Sequence, residues 1–295
     1  MSKPLISGFT FIKHGLQLGY PIRESIESIE PLCDEIIVNV GFDDPELKTD
    51  DGTWEYLNDH FQHEKIKFVK SWWDPKLRKD GLILSQQTNI ALRECKGKYC
   101  QYIQGDEALH EDDLSLIQDN VLEMEKDKEI DGLVFDYIHF YGNVDVQLYT
   151  RRIYRQEMRL IRNGKDIISW KDAQGFRYSN ENKVPCKKIP ARVFHYGWAR
   201  KEQIMATKVK AMDKLYHENP NQDEFTYSRM WGLRRFEQTH PSVMSEWTEQ
   251  HKNDLDVMAL PLEFKMKDLN LMLSDAWEQM TGHRIGEYKN FKLLR

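Results

Sequence analysis

Lys98-Tyr-Cys-Gln-Tyr-Ile-Gln-Gly-Asp-Glu107 is an aromatic and aliphatic strand that runs directly into a turn bearing two adjacent carboxylates. A parallel sheet binds its ligands beyond the carboxyl ends of its strands, and a hard cation held by one or two carboxylates can grip a ligand's phosphates there. Acids after a strand also serve as solvated loop residues or helix caps, so the surrounding chain has to decide between the two. Upstream, Pro4 to Ile12 reads as a strand and Pro21 to Glu30 as a helix with proline where a first turn tolerates it. Asp34 to Val40 is a second strand, and its continuous apolar core predicts cover on both faces. Thr53 to Phe61 then reads as a helix, Lys65 to Ser71 as a third strand, and Leu84 to Glu94 as the helix entering the strand that ends at Gly105. This alternation predicts an α/β fold with a central, mostly parallel sheet whose strand ends gather on one edge.

Downstream, Glu111-Asp-Asp113 precedes a helix from Leu114 to Met124 and is expected to complement its N-terminus rather than join a site. Gly132 to Tyr141 is strand-like. Arg151-Arg-Ile-Tyr-Arg-Gln-Glu-Met-Arg-Leu-Ile-Arg162 is unusually cationic, and pairing with neighbouring acids is expected for most of its arginines. In the strand Ala191 to Trp198, Phe194, Tyr196 and Trp198 share one face while Val193, His195 and Gly197 share the other. His195 thus neighbours a residue without a side chain, where a ligand can approach closely. Beyond Arg200 the pattern turns helical, dividing the chain into residues 1–200 and a helical region, 201–295. Met205, Val209, Met212 and Tyr216 make one apolar stripe, and Leu269, Met272, Leu273, Ala276, Trp277 and Met280 a stronger one expected to pack against the first part.

The 295 residues allow a sizeable core, and 40% apolar with 31% charged residues describe a globular protein. A net charge of −6 argues against a dedicated nucleic-acid binder. Cys33, Cys95, Cys100 and Cys186 form no CxxC pair, so reduced thiols and a cytoplasmic setting are expected. Leu5, Ile6, Phe9, Phe11 and Ile12 are interrupted by Ser7, Gly8 and Thr10 and do not read as a signal peptide. No apolar run reaches membrane-spanning length, although the basic closing stretch from Tyr288 to Arg295 could touch an anionic membrane face. There is no GxSxG, HExxH, P-loop or GxGxxG. His60 and His63 share a helical face but lack the further ligands of a zinc site.

The order of strand, helix, Asp34-Glu-Ile-Ile-Val38, acidic loop, Asp51-Gly-Thr53 and Gln87-Thr-Asn89 before a strand ending in an acid pair resembles the GT-A fold of family 2 glycosyltransferases. Tyr102-Ile-Gln-Gly-Asp-Glu107, Arg159-Leu-Ile-Arg-Asn163, Asp172-Ala-Gln-Gly-Phe176 and His195-Tyr-Gly-Trp198 resemble a bacterial subgroup of that family. The likeness covers about residues 5 to 200, with Arg284-Ile-Gly-Glu-Tyr288 a fainter echo. It implies a GT-A type nucleotide-binding fold and transfer of a sugar from a nucleotide diphosphate sugar to a carbohydrate or glycolipid acceptor, with inversion, in bacterial polysaccharide or glycoconjugate synthesis. The family's Asp-x-Asp falls on Gln104-Gly105-Asp106, so an amide replaces the first acid. The resemblance makes Asp106 and His195 the ligands of Mg²⁺ or Mn²⁺, Gln104 a contact to ribose or donor sugar, and Glu107 a residue behind them. Val40-Gly-Phe42 stands where the base-reading aspartate is usual, leaving Asp43 or Asp44 to serve. Thr10 and Phe11 are placed to line the base pocket, and Arg78, Gln87 and Asn89 to meet phosphate or sugar. Asp172, between the arginine-rich segment and the His195 strand, is the expected general base, its plain alternative being an Asx turn ahead of Gly175. Asp136 and His139 are weaker nominees, and Trp73, Trp170 and Trp198 could stack on sugar rings. A non-catalytic nucleotide-sugar or carbohydrate-binding module and a sugar-phosphate nucleotidyltransferase remain alternatives.

Overall fold

The computed structural model describes residues 5–77, 81–216, 224–287 and 289–294. Its first half is the expected alternation. Strands β1 (Ile6–Ile12), β2 (Glu35–Phe42), β3 (Ile66–Trp72) and β4 (Tyr99–Tyr102) pair in parallel in the order β3-β2-β1-β4. Helices α1 (Ile22–Ile29), α2 (Thr53–His60) and α3 (Leu82–Glu94) connect them. All eight residues of β2 are buried, as a strand covered on both faces requires. In α1 the isoleucines at 22, 26 and 29 fall on one stripe and are buried, and Pro21 stands just before the first turn, where its missing N–H costs nothing. The parallel pairing sends the segments after β1, β2, β3 and β4 to one edge of the sheet.

β4 ends at Tyr102, three residues before the expected Gly105. The chain turns through Gln104–Asp106, closed by the Glu107 N–H donating to the Gln104 carbonyl at 2.9 Å, and re-enters the sheet as β5 (Glu107–Leu109). After a helical turn at Glu111–Asp113 comes α4 (Leu114–Lys126), followed by β6 (Gly132–Tyr141), β7 (Asn143–Leu148), β8 (Gln156–Arg162), β9 (Ile167–Trp170), β10 (Gly175–Tyr178) and β11 (Pro185–Trp198). No helix lies between β6 and β11, and without crossover helices adjoining strands fold back as antiparallel pairs. The sheet is therefore mixed around a parallel core. β8 runs antiparallel between β4 and β6, β7 is antiparallel to β6, and β11 lies parallel to β6 with β5 antiparallel along it.

Beyond residue 200 come α5 (Glu202–Asp213), β12 (Leu233–Arg235), α6 (Ser245–His251), α7 (Asp268–Thr281) and β13 (Lys292–Leu293). The region is helical but also adds two strands to the sheet, β12 against β7 and β13 against β11. Met205 of the first expected stripe is buried, whereas Tyr216 at its end is exposed. The second stripe corrects the sequence reading. Leu269, Leu273, Trp277 and Met280 face solvent, Leu273 at 70% and Met280 at 76% exposure, and α7 buries Asp268, Leu271 and Ser274 instead. Ion pairs choose that face: Asp268 binds Arg152, and Glu278 binds Arg155 and Arg284. The arginine-rich segment is paired as expected, with Arg159 on Glu107 and Arg162 on Asp131. Asp113 also does more than complement a helix, since it grips Arg192 through both carboxylate oxygens.

Candidate functional site

The turn after β4 places Asp106 and Glu107 in opposite environments. Glu107 begins β5 and points inward, where it is fully buried. Its Oε1 accepts from Arg159 Nη2 at 2.9 Å and the Tyr137 hydroxyl at 2.7 Å; its Oε2 accepts from Arg159 Nε at 3.1 Å and the Gln104 N–H at 3.1 Å. Every acceptor position is used within the protein, so Glu107 anchors the turn and is not brought to a ligand.

Asp106 faces the strand-end edge. Its Oδ2 lies 3.0 Å from Lys208 Nζ and 3.6 Å from His195 Nε2, and the Lys208 ammonium also donates to the Gly197 carbonyl at 2.7 Å. Gly197 is required here, because a Cβ at that position would stand 2.5 Å from the His195 ring and 2.8 Å from Asp106 Oδ2. Lys208 comes from α5 and is buried. Burial pulls its ammonium down to about 8, against the attraction of Asp106. Burial opposes the Asp106 charge too, but Lys208 foremost, with His195 and Arg200, holds its carboxyl well below the usual range.

Arg200 is a fully buried guanidinium whose Nε, Nη1 and Nη2 find no aligned acceptor among the described residues. Its company is Tyr20, which meets it through both the hydroxyl and the ring, the ring centroid 4.4 Å from the guanidinium carbon, and the charge of Asp106. The Lys208 ammonium lies 5.1 Å from the same ring. One carboxylate thus sits among two buried cations.

His195 is oriented by a residue behind it. His139 Nε2 lies 2.6 Å from the Tyr154 carbonyl, which can only accept, so this nitrogen carries the proton. Burial lowers both imidazoles, keeping them neutral. His139 Nδ1 then accepts from His195 Nδ1–H across 3.0 Å, and the His195 Nε2 lone pair faces Asp106.

That pair is arranged to receive a cation, and the cation the chain supplies is Lys208. A divalent ion there would meet the ammonium on the same carboxylate oxygen, with Arg200 adding to the repulsion. Among the described residues no group of three or more His, Cys, Asp or Glu side chains is placed to hold a metal. With Lys208 in place, the carboxylate oxygen that a resident Mg²⁺ or Mn²⁺ would take already holds an ammonium.

The other expected site residues divide clearly. Gln104 donates to the Tyr102 hydroxyl at 3.3 Å and the Ala173 carbonyl at 3.4 Å, joining the Asp172 loop to the Asp106 turn. Asp172 is exposed and packed against Gly81 at the head of α3. Its Oδ1 accepts from the Gln174 N–H at 3.4 Å, the anticipated Asx turn. Phe11 lies against Trp73 with the rings tilted at 43° and their centroids 5.9 Å apart, beside Ala173. Thr10 is fully buried with its hydroxyl on a backbone carbonyl. Asp43 pairs with Lys13 at 2.6 Å and His14 at 2.9 Å at the ends of β1 and β2, whereas Asp44 closes its own loop by accepting from the Lys48 and Thr49 N–H groups. Gln87 and Asn89 are spent inside the protein: Gln87 binds Ser71, Asn39 and the Trp72 carbonyl, and Asn89 clasps Ser169 of β9 through both amide atoms. Arg78 lies outside the described residues. Asp136 pairs with Lys188 at 3.1 Å. Trp198 is exposed and lies 5.9 Å from Lys208. Sequence reasoning missed Tyr20, Arg200 and Lys208. It also missed Glu157, a buried β8 carboxyl that burial pushes up to about 7.

No protein-family model matches the chain, and no curated protein matches it. Among solved structures it is similar to residues 1–349 of S. aureus TarS in complex with UDP, at 11% identity over 72% of this chain and 65% of that one, TM-score 0.41. It is also similar to the same TarS fragment in complex with UDP-GlcNAc, at 15% identity over 47% of this chain and 36% of that one, TM-score 0.33. For S. aureus TarS itself the identity is 9%, over 71% of this chain and 39% of that one, with a TM-score of 0.38. The chain spans less than two thirds of each of these structures, and likeness at this level decides nothing about function.

Proposed function

We propose that the chain is a glycosyltransferase that moves a sugar from a nucleotide diphosphate sugar to a carbohydrate or glycolipid hydroxyl. One observation carries the reading: the strand-end edge of a parallel core holds a half-buried carboxylate with two buried cations, leaving local positive charge in an acidic protein. A diphosphate is the ligand chemistry that such an edge accommodates. Of the motifs that resemble family 2 glycosyltransferases, the Gln104-to-Glu107 turn and His195-to-Trp198 meet at this same edge. A division into residues 1–200 and 201–295 fits the reading, the first part presenting the strand ends and the second returning Lys208 to them. Among the described residues no helix is long and apolar enough to cross a membrane.

In the proposed reaction the acceptor oxygen attacks the anomeric carbon from the face opposite the departing nucleotide, inverting it. Asp172 takes the acceptor hydroxyl's proton, and Gln104 ties the Asp172 loop to the Asp106 turn. An acid outside the ion cluster suits this task, because a carboxylate tied to cations is a poor proton acceptor. The test is release of free nucleotide from a panel of UDP-, GDP-, ADP- and dTDP-sugars in the presence of carbohydrate acceptors. Asp172→Asn should bind donor nearly normally while turnover falls by about 10²–10⁴-fold. Unchanged turnover would return Asp172 to its Asx turn, and a product with retained configuration would reject single displacement. A binding module is the second reading, favoured by the amide at Gln104 where the family's first acid stands. Tight donor binding without nucleotide release from any donor would establish it.

A further inference from the structure

We infer that Lys208, backed by Arg200, serves this site in place of a divalent metal, so that the nucleotide diphosphate is bound by the chain's own cations. The inference rests on the nucleotide-sugar reading above and gives that site its mode of diphosphate recognition. The Lys208 ammonium has three donors. One meets Asp106 Oδ2 at 3.0 Å and another the Gly197 carbonyl at 2.7 Å, leaving a third for a ligand oxygen. A bridge from strand-end carboxylate to phosphate is the task a metal would perform, and here an ammonium already rests on the carboxylate. His195 lies on the other side of this group, its Nε2 3.6 Å from the same oxygen.

Arg200 is the independent observation. A fully buried guanidinium whose nitrogens find no well-aligned acceptor among the described residues, with the neutral Tyr20 phenol as its neighbour, is expensive to maintain, and an anionic ligand would offset its charge. Asp106 can neutralise one of the two cations. The remaining positive charge is complementary to a diphosphate and opposed to a second, divalent cation. Tyr20 holds the arrangement together, since its ring lies against both Arg200 and Lys208.

The test is calorimetric titration of the full chain with UDP, GDP, ADP and inorganic pyrophosphate, in excess EDTA and again with millimolar Mn²⁺ or Mg²⁺. At least one nucleotide should bind in EDTA with an affinity that metal alters by no more than about twofold. Lys208→Gln should weaken binding in EDTA by at least about tenfold, the scale of one charge-assisted hydrogen bond to phosphate. Binding that occurs only with a divalent ion would overturn the inference and leave the glycosyltransferase reading intact. So would a folded Lys208→Gln chain that binds like the wild type in EDTA. If no nucleotide binds in any arm, both fall. The EDTA comparison on the wild-type chain needs no variant, so a misfolded Lys208→Gln would not shield the idea.

Discussion

Replacing Glu157 by Gln should stabilise the protein at alkaline pH and do little at acidic pH. Glu157 lies on β8 without solvent exposure. Its Oε1 accepts from Gln174 Nε2 at 2.6 Å, and its Oε2 has no hydrogen-bond partner among the described residues. Burial raises its carboxyl from 4.5 to about 7, despite the opposing pull of Arg159. The folded state therefore holds a proton that the unfolded chain releases, so stability is full below about pH 4.5 and is lost as pH rises towards 7. At about 1.36 kcal/mol per pH unit, the shift corresponds to about 3 kcal/mol by pH 8 and under about 1 kcal/mol at pH 5. Glutamine reproduces the shape of the protonated carboxyl, keeps an oxygen for Gln174 and cannot ionise. Urea unfolding of both proteins at pH 5 and pH 8 isolates the effect, because other titrating groups are common to the pair and cancel. A wild-type-minus-variant difference that does not change between the two pH values would refute the reasoning.

Arg159→Met strands the Glu107 carboxylate without its counter-ion in the interior and should cost about 3–5 kcal/mol in denaturant unfolding. A loss under about 1 kcal/mol would mean that Glu107 is neutral or reaches water. On α7, Leu273→Gln and Met280→Gln should change stability by no more than about 0.5 kcal/mol, because both side chains already face solvent. Asp268→Asn, which weakens the buried partner of Arg152, should cost about 1–3 kcal/mol, and the opposite ranking would restore the apolar stripe as the packed face.

The sheet's parallel core was legible because its signals are local. The apolar run of β2, the isoleucine spacing of α1 and the turn after β4 each follow from residues within a few positions of one another. The half from β6 onward was less legible, because antiparallel pairing came from missing crossover helices rather than from any motif. In α7 periodicity identified a helix but chose the wrong face. Apolar spacing says how a helix could bury a stripe, whereas Arg152 and Arg155, more than a hundred residues earlier, determine which stripe faces inward. The same distance hid Lys208, which lies 102 residues from Asp106 and occupies a helix whose charges read locally as solvated. Gln87 and Asn89 misled in the other direction. Polar residues on a helix beside a strand-end edge look available to a ligand, but here they stitch α3 to β2, β3 and β9.

The two carboxylates at the end of the opening stretch show how far such reading can reach. Asp106 and Glu107 are adjacent and chemically alike, yet Asp106 ends the turn while Glu107 opens β5, and the two reach different environments. Glu107 meets one guanidinium in a closed bidentate pair with every acceptor filled, an arrangement that fixes the turn and leaves nothing for a ligand. Asp106 meets more positive charge than it can neutralise. Pairing explains Glu107 completely, but beside Asp106 it leaves Arg200 without a well-aligned acceptor among the described residues and gives Lys208 two oxygens for its three donors. That residual charge, rather than the presence of an acid pair, distinguishes a structural turn from a binding edge. It also makes the carboxylate's role one of holding a cation in position, with the cation facing the ligand.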